Sequence, residues 1–306
     1  MVQVSLLGVA QDGGRPQVGC FQSCCRSLQE SDRRYPVSIG IIGNDGSRHL
    51  IEASRHLGEQ LAMWRGTWCE VCGMDAKLQE PIQSLFITHA HSGHIDGLSL
   101  FGRETMSARG LKLYVSHSLH TLIEATPHWN LMLKQEVFKP HIISSGDMIA
   151  PPSPSTVGCG FYVEPLLVPH RAELSDMHAF IIRGPSKSLL FLPDHDTWEE
   201  TLSAHGVQTI REFLCKFRID IALLDATFYS RDELGVRASG QDQAEVPHPP
   251  VIEQLEALGK RLNNDPEIVF IHMNHTNPLY NQQSQEWQKL KDLGYRVGEQ
   301  MDKYDL

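Results

Sequence analysis

SLFITHAHSGHID, residues 84–96, runs from an apolar strand pattern directly into three histidines, His89, His91 and His94. In an extended segment residues i and i+2 project to the same side. The pattern therefore predicts a strand over Ser84–Ala90 whose end, with His91 just beyond it, presents His89 and His91 together. Gly93 permits a sharp turn, and Ile95–Phe101 reads as the first turns of a helix, which would bring His94 in from another direction. Neutral imidazole is the commonest side-chain ligand for zinc and also suits iron. Three imidazoles this close point to a shared cation. Three unconnected surface histidines are the plainer reading, and an apolar strand immediately before them speaks against it.

Three further apolar runs end in residues of ligand type. Tyr162–His170 closes in Val168, Pro169 and His170, and Ser188–Asp194 closes in Leu192, Pro193 and Asp194. Glu267–Met273 contains His272, with His275 soon after.

A histidine cluster, a later histidine, an aspartate and a terminal histidine, in that order, resemble the metallo-β-lactamase superfamily over nearly the whole chain. Within it the sequence is most similar to the pyrroloquinoline-quinone biosynthesis B family. That likeness rests on LLGVAQDGGRPQVGC (6–20), VPHRAELSDMHAF (168–180), LLFLPDHDTWEE (189–200), LLDATFYSRDEL (223–234) and IHMNHTNPLY (271–280). A local second likeness, to the phosphodiesterase associated with carbon–phosphorus lyase, rests on the early cysteine cluster, THAHSGHIDGL (88–98) and the pair His272 and His275. The resemblance implies a single α/β domain over residues 1–306, folded as a four-layer αββα sandwich. It assigns His89, His91 and His170 to one metal site with Asp194 bridging, and His94, Asp194 and His272 to a second. The superfamily run is HxHxDH, and Gly93 stands where its aspartate would be, so the second site lacks its own carboxylate. Asp96 and His195 are candidates to replace it, with supporting or helix-start roles as the plainer reading. One occupied site is the expectation, rather than a full two-metal centre.

A bound zinc lowers the pKa of its water from about 15.7 to about 7, and a second cation can hold the opposite oxygen of a displacement. The leading expectation is a metallohydrolase that uses such a hydroxide to cleave a small phosphodiester or ester. Two alternatives remain open: an iron-dependent oxygenase or hydroxylase in quinone cofactor biosynthesis, since iron takes the same ligands, and a non-catalytic carrier of the cofactor or its precursor. Asp194 and His248 are the candidate catalytic residues. His248 lies in the polar stretch Arg231–Pro250, the longest expected loop, where an acid–base role competes with that of an ordinary exposed histidine.

The chain has 306 residues, 41% of them hydrophobic, and a formal charge of -10. That apolar share suffices for a large core, and the negative charge argues against general affinity for nucleic acid or an anionic membrane. A small anionic substrate remains compatible, because cations would dominate the local field. No apolar run approaches the roughly 20 residues of a membrane-spanning helix, and no basic leader precedes the strand Val4–Val9. A cytoplasmic protein is expected, of open oligomeric state.

Seven cysteines in a reducing compartment suggest metal rather than disulfides. The related phosphodiesterase implies a structural zinc on Cys20, Cys25 and His275; its middle cysteine falls at Gln22, so Cys24 would stand in. The working set is Cys20, Cys24, Cys25 and His275. Cys69 and Cys72 with two of the earlier cysteines, or reduced thiols throughout, are the alternatives. Cys159 and Cys215 read as buried, inert thiols.

The remaining features have two readings each. Gly13, Gly14 and Pro16 form a turn or bring backbone N–H groups to the metal centre. Arg171 holds a substrate anion or pairs with Glu173 or Asp176. Asp225 and Thr227 end a buried strand and are placed to orient a ligand imidazole. Trp198, Glu199 and Glu200 start a helix. Ala150–Ser155 is a surface turn between the two halves.

Overall fold

The computed structural model describes residues 1–72, 82–234 and 247–306, with the side chains of 69–72 and 234 outside the description. Its strands are β1 (Gln3–Gly8), β2 (Ser38–Ile42), β3 (Arg48–Ile51), β4 (Ser84–Phe86), β5 (Leu111–Val115), β6 (Phe138–Ile142), β7 (Tyr162–Val168), β8 (Met177–Arg183), β9 (Ser188–Leu192), β10 (Ile221–Asp225), β11 (Glu267–Ile271), β12 (Arg296–Val297) and β13 (Lys303–Asp305). They form two sheets, ordered β13-β1-β2-β3-β4-β5-β6 and β12-β11-β10-β9-β8-β7. In the first sheet β3 to β6 run parallel, and in the second β9 to β12 do, while the other pairings are antiparallel.

Strands buried on both faces read as near-continuous apolar runs, and this explains SLLFL in β9 and IALLD in β10. Leu189, Phe191 and Leu223 face the other sheet, packing with Val4, Ile39 and Phe86. Leu190, Ala222 and Leu224 face outward under the helices Ile210–Lys216 and Val251–Leu258, meeting Phe213 and Leu255. On the opposite outer face Leu85 and Leu113 pack under Trp64 and Trp68 of the helix Leu57–Cys72. Three apolar layers between four layers of structure make this the αββα sandwich. The chain passes from one sheet to the other between β6 and β7, and Ala150–Ser155 lies in that passage.

The runs that lead to these histidines and Asp194 are shorter as strands than their apolar patterns suggest. The strand beginning at Ser84 ends at Phe86 rather than Ala90, β7 at Val168 rather than His170, β9 at Leu192 rather than Asp194, and β11 at Ile271 rather than Met273. His89 and His91 consequently sit in an extended loop beyond β4, not at its terminus. Ile95–Phe101 is not an α-helix beyond its first residue: a short α-turn, Ser92–Ile95, leads into the 3-10 segment Asp96–Phe101. Trp198 does open a helix, Trp198–Ala204, capped by the Thr197 side chain accepting from Glu200 N–H. The expected loop Arg231–Pro250 begins with a 3-10 turn, Arg231–Leu234, and residues 235–246 lie outside the described residues.

Candidate metal centre

Every ligand-type residue singled out in the histidine runs sits at or just past the C-terminal end of a strand. His89, His91 and His94 follow β4, His170 follows β7, Asp194 follows β9, and His272 follows β11. Parallel α/β sheets place ligands at those strand ends, and here the two sheets converge on Asp194. Its Oδ2 lies 3.5 Å from His89 Nε2, 3.5 Å from His94 Nε2 and 3.7 Å from His272 Nε2, and its Oδ1 lies 3.5 Å from His170 Nε2. His91 Nδ1 is 3.2 Å from His170 Nε2. Two nitrogens bound tetrahedrally to one zinc stand roughly 3.3 Å apart at Zn–N of 2.0–2.1 Å. His89, His91, His170 and Asp194 form one potential metal group, and Asp12, His94 and His272 form another.

The outward nitrogens are engaged from behind. His89 Nδ1 shares a hydrogen bond with Thr88 Oγ1 at 2.7 Å, His170 Nδ1 with Asp196 Oδ1 at 3.0 Å, and His272 Nδ1 with Thr227 Oγ1 at 3.0 Å. Glu52 Oε1 lies 3.2 Å from His94 Nδ1. Such partners fix ring orientation and tautomer so that the other nitrogen faces inward with a free lone pair. The inward atoms His89 Nε2, His94 Nε2 and His272 Nε2, all facing Asp194 Oδ2, are buried without a hydrogen-bond partner. Unpartnered buried polar atoms are costly, and their convergence on one point fits a divalent cation. Charge agrees, because Glu52, Asp194 and Asp225 are all fully buried here and buried carboxylates require compensation. Glu52 and His272 also adopt left-handed backbone, at φ 75 and 61, a strain of about 1–2 kcal/mol per residue spent on aiming these two side chains.

The protein's own groups polarise the site strongly. Burial alone would raise the Asp194 carboxyl, but His272, His248 and His170 hold it well below the usual carboxylate range. Burial and the neighbouring His94 keep His89 well below its ordinary value, hence neutral and able to bind a cation. His248 is not the exposed loop histidine the sequence favours. It is buried, with Nδ1 2.8 Å from Asp225 Oδ2 and 2.9 Å from Asp194 Oδ1. Burial opposes its charge, yet Asp225 and Asp194 push it up to about 10.

Three contributors escape sequence reasoning. Asp12, in the turn after β1, places Oδ1 3.4 Å from His94 Nε2. Glu52 and Asp196 are the other two. Only Asp196 carried any signal, through its place two residues after Asp194 in the loop that follows β9. Asp96 and His195 do not replace the missing carboxylate. Asp96 is exposed, while His195 turns its Nδ1 to Thr201 Oγ1 at 2.9 Å and its ring edge to Trp198. Asp225 and Thr227 stand behind the His272 imidazole, the Asp225 Oδ1 accepting from Thr227 Oγ1 at 2.7 Å while Thr227 holds His272. The Gly13–Pro16 stretch is a turn, closed by Gly14 N–H donating to the Gln11 carbonyl at 2.8 Å.

The cysteine cluster is a second, separate group. Cys20, Cys24 and Cys25 come together with His275. The Sγ atoms of Cys20 and Cys24 are 3.7 Å apart, those of Cys24 and Cys25 4.0 Å, and His275 Nδ1 lies 3.3 Å and 3.4 Å from the latter two. Tetrahedral zinc with Zn–S of about 2.3 Å sets such edges at roughly 3.5–3.8 Å. The side chains of Cys69 and Cys72 lie outside the described residues. Cys159 is buried, but Cys215 is exposed on the helix Ile210–Lys216, contrary to its apolar neighbours in sequence.

A cavity of about 730 Å³ adjoins the centre, lined by Arg171, Asp196, Trp198, Leu202, His248 and Pro249 among others. Arg171 makes no ion pair with Glu173 or Asp176 among the described residues, and its buried Nε has no hydrogen-bond partner.

Residues 70–273 match the family described as the beta-lactamase superfamily domain. The coenzyme PQQ synthesis protein B of Xanthomonas axonopodis pv. citri is 26% identical over 310 residues, covering 97% of each chain. Among solved structures, Zn²⁺-bound PqqB from Methylobacterium extorquens matches with a TM-score of 0.73 at 21% identity, over 99% of this chain and 100% of that one. A diphosphatase of the PhnP family matches with a TM-score of 0.64 at 20% identity, over 99% and 96%. No helix among the described residues is long and apolar enough to cross a membrane.

Proposed function

The chain belongs to the beta-lactamase superfamily, and from that premise we propose that it is a PqqB-like metal-dependent hydrolase that cleaves a small phosphodiester or ester. The carrying observation is the set of unpartnered, buried Nε2 atoms of His89, His94 and His272 gathered around Asp194 Oδ2. Zinc is the cation this reading favours, as in the Methylobacterium extorquens relative. His89, His91, His170 and Asp194 would hold a divalent cation, which would supply Lewis acidity and lower the pKa of a water.

The remaining work belongs to the chain's own side chains. Asp196 fixes the ring of His170, and Asp194 turns Oδ1 toward His170 and Oδ2 toward His89, His94 and His272. Arg171, on the cavity wall, meets the anionic oxygen of a substrate. His248, anchored through Nδ1 by Asp225, delivers a proton to the departing oxygen. Trp198 and Leu202 give the cavity an apolar side that displaces water around the reacting group. The name of the Xanthomonas relative makes esters or phosphodiesters among quinone-cofactor precursors the class to screen. The cysteine cluster takes a structural zinc, tying the segment after β1 to the one after β11.

Turnover of bis(p-nitrophenyl) phosphate by the zinc-loaded protein is the test. His89→Ala and Asp194→Ala should each abolish it while circular dichroism stays unchanged; undiminished rates in both would sink the proposal.

A further inference from the structure

Gly93 and Asp12 occupy one space between them. A Cβ built on Gly93 would lie 2.2 Å from Asp12 Oδ1 and 2.5 Å from Asp12 Cα, closer than any real contact allows. Gly93 N–H instead donates to Asp12 Oδ1 at 3.1 Å. The carboxylate thus stands on the spot where a side chain at position 93 would begin. From there Oδ1 is 3.4 Å from His94 Nε2, and Asp12, His94 and His272 bring their ligand atoms within 4.8 Å of one another.

The loop that carries Asp12 is held firmly. Gln11 N–H donates to the Met273 carbonyl at 2.9 Å, Met273 N–H to the Val9 carbonyl at 2.9 Å, and Arg55 to the Asp12 carbonyl at 2.7 Å. Gln11, the residue before Asp12, is therefore tied to Met273, the residue after His272. His94 Nε2 and His272 Nε2 are fully buried and lack hydrogen-bond partners. With Asp12 and Asp194 they make two imidazoles and two carboxylates, a donor set that suits a divalent cation.

We infer that Asp12 is a metal ligand, which completes a second cation site with His94, His272 and Asp194. Glycine at position 93 is the condition for it. The inference rests on the metal-centre reading above and extends it from one cation to two.

Metal content of the full chain, counted by mass spectrometry after equilibration with Zn²⁺ and removal of the excess, tests this. Asp12→Asn, which keeps the shape and removes the charge, should hold one cation per chain fewer or bind it on the order of 100-fold more weakly. Gly93→Ala, which removes no ligand atom, should lose the same cation because its Cβ displaces Asp12. The cations at the His89, His91 and His170 set and at the cysteine cluster should stay in both. Unchanged content and affinity in Asp12→Asn overturns the inference, as does a wild type that holds no more metal than His94→Ala. Since the readout is metal, loss of one cation from a chain with no hydrolase activity sustains the role of Asp12 while removing the hydrolase reading.

Discussion

His248 Nδ1 lies 2.8 Å from Asp225 Oδ2, and this contact ties a residue of the loop before the helix Val251–Leu258 to the last residue of β10. It fixes the ring, while Nε2 has no hydrogen-bond partner and the residue lines the cavity. If the ring protonates a leaving oxygen, His248→Ala should lower kcat by about 10²–10⁴ for a phosphodiester with an alkyl leaving group. The loss should be much smaller with p-nitrophenolate, which departs without help, and metal content should not change. Equal losses for both leaving groups would mark His248 as a positioning residue instead.

Asp196 stands behind His170 at 3.0 Å and is partly exposed, so its removal leaves the core intact. Truncating such a partner typically costs 10–100-fold in metal affinity. Asp196→Ala should therefore release zinc from the histidine cluster at correspondingly lower chelator concentration, with an unchanged thermal midpoint for the metal-free chain. Chelator titration at constant pH measures it, and an unshifted curve would show that His170 keeps its orientation without Asp196.

The strands that sequence patterning does not pick out share one location. β6, β12 and β13 are all edge strands. An edge strand is short, faces solvent along one side and tolerates proline, so Pro140 within FKPHI and the polar KYD of β13 leave no apolar pattern to read. Interior strands such as β9 and β10 are apolar but for one terminal residue each and easily found. For the centre, the histidines were legible because HxHxGH is local in sequence. Asp12 was not, since it meets Gly93 across 81 residues and nothing near it is periodic. Glu52 reads as the end of an apolar strand, and only its left-handed backbone turns it to His94. His248 looked exposed because its flanks are polar and proline-rich, whereas Asp225 and Asp194 supply the charge that lets it be buried.

The cysteine cluster joins Cys20, Cys24 and Cys25, just after the turn bearing Asp12, to His275, three residues after His272. A structural zinc contributes its binding free energy to folding. Cys24→Ser should lose one zinc per chain and lower the thermal midpoint by several degrees, while zinc at the histidine cluster survives at saturating metal. Unaltered zinc content would leave these residues as reduced thiols.

His49 offers a pH test away from the metal centre. It sits in β3, fully buried, with Nδ1 2.8 Å from Ser84 Oγ and Nε2 2.9 Å from Ser47 Oγ, and the Phe161 ring packs against it edge-on. Burial lowers its pKa from 6.5 to about 3, with Arg48 acting in the same sense and Asp45 against it. The folded chain keeps this imidazole neutral, while the unfolded chain takes up a proton as the pH drops below about 6.5. The unfolded state then binds more protons, so stability is fully present above 6.5 and falls as the pH goes from 6.5 toward 3. One proton corresponds to a slope of about 1.4 kcal/mol per pH unit. His49→Gln, whatever its stability at pH 7, should lose that share of the slope. Urea unfolding of both chains at several pH values measures the difference, in which the carboxylates and any bound metal cancel. A difference that stays constant from pH 7 to pH 4 would mean that His49 accepts its proton in the folded state.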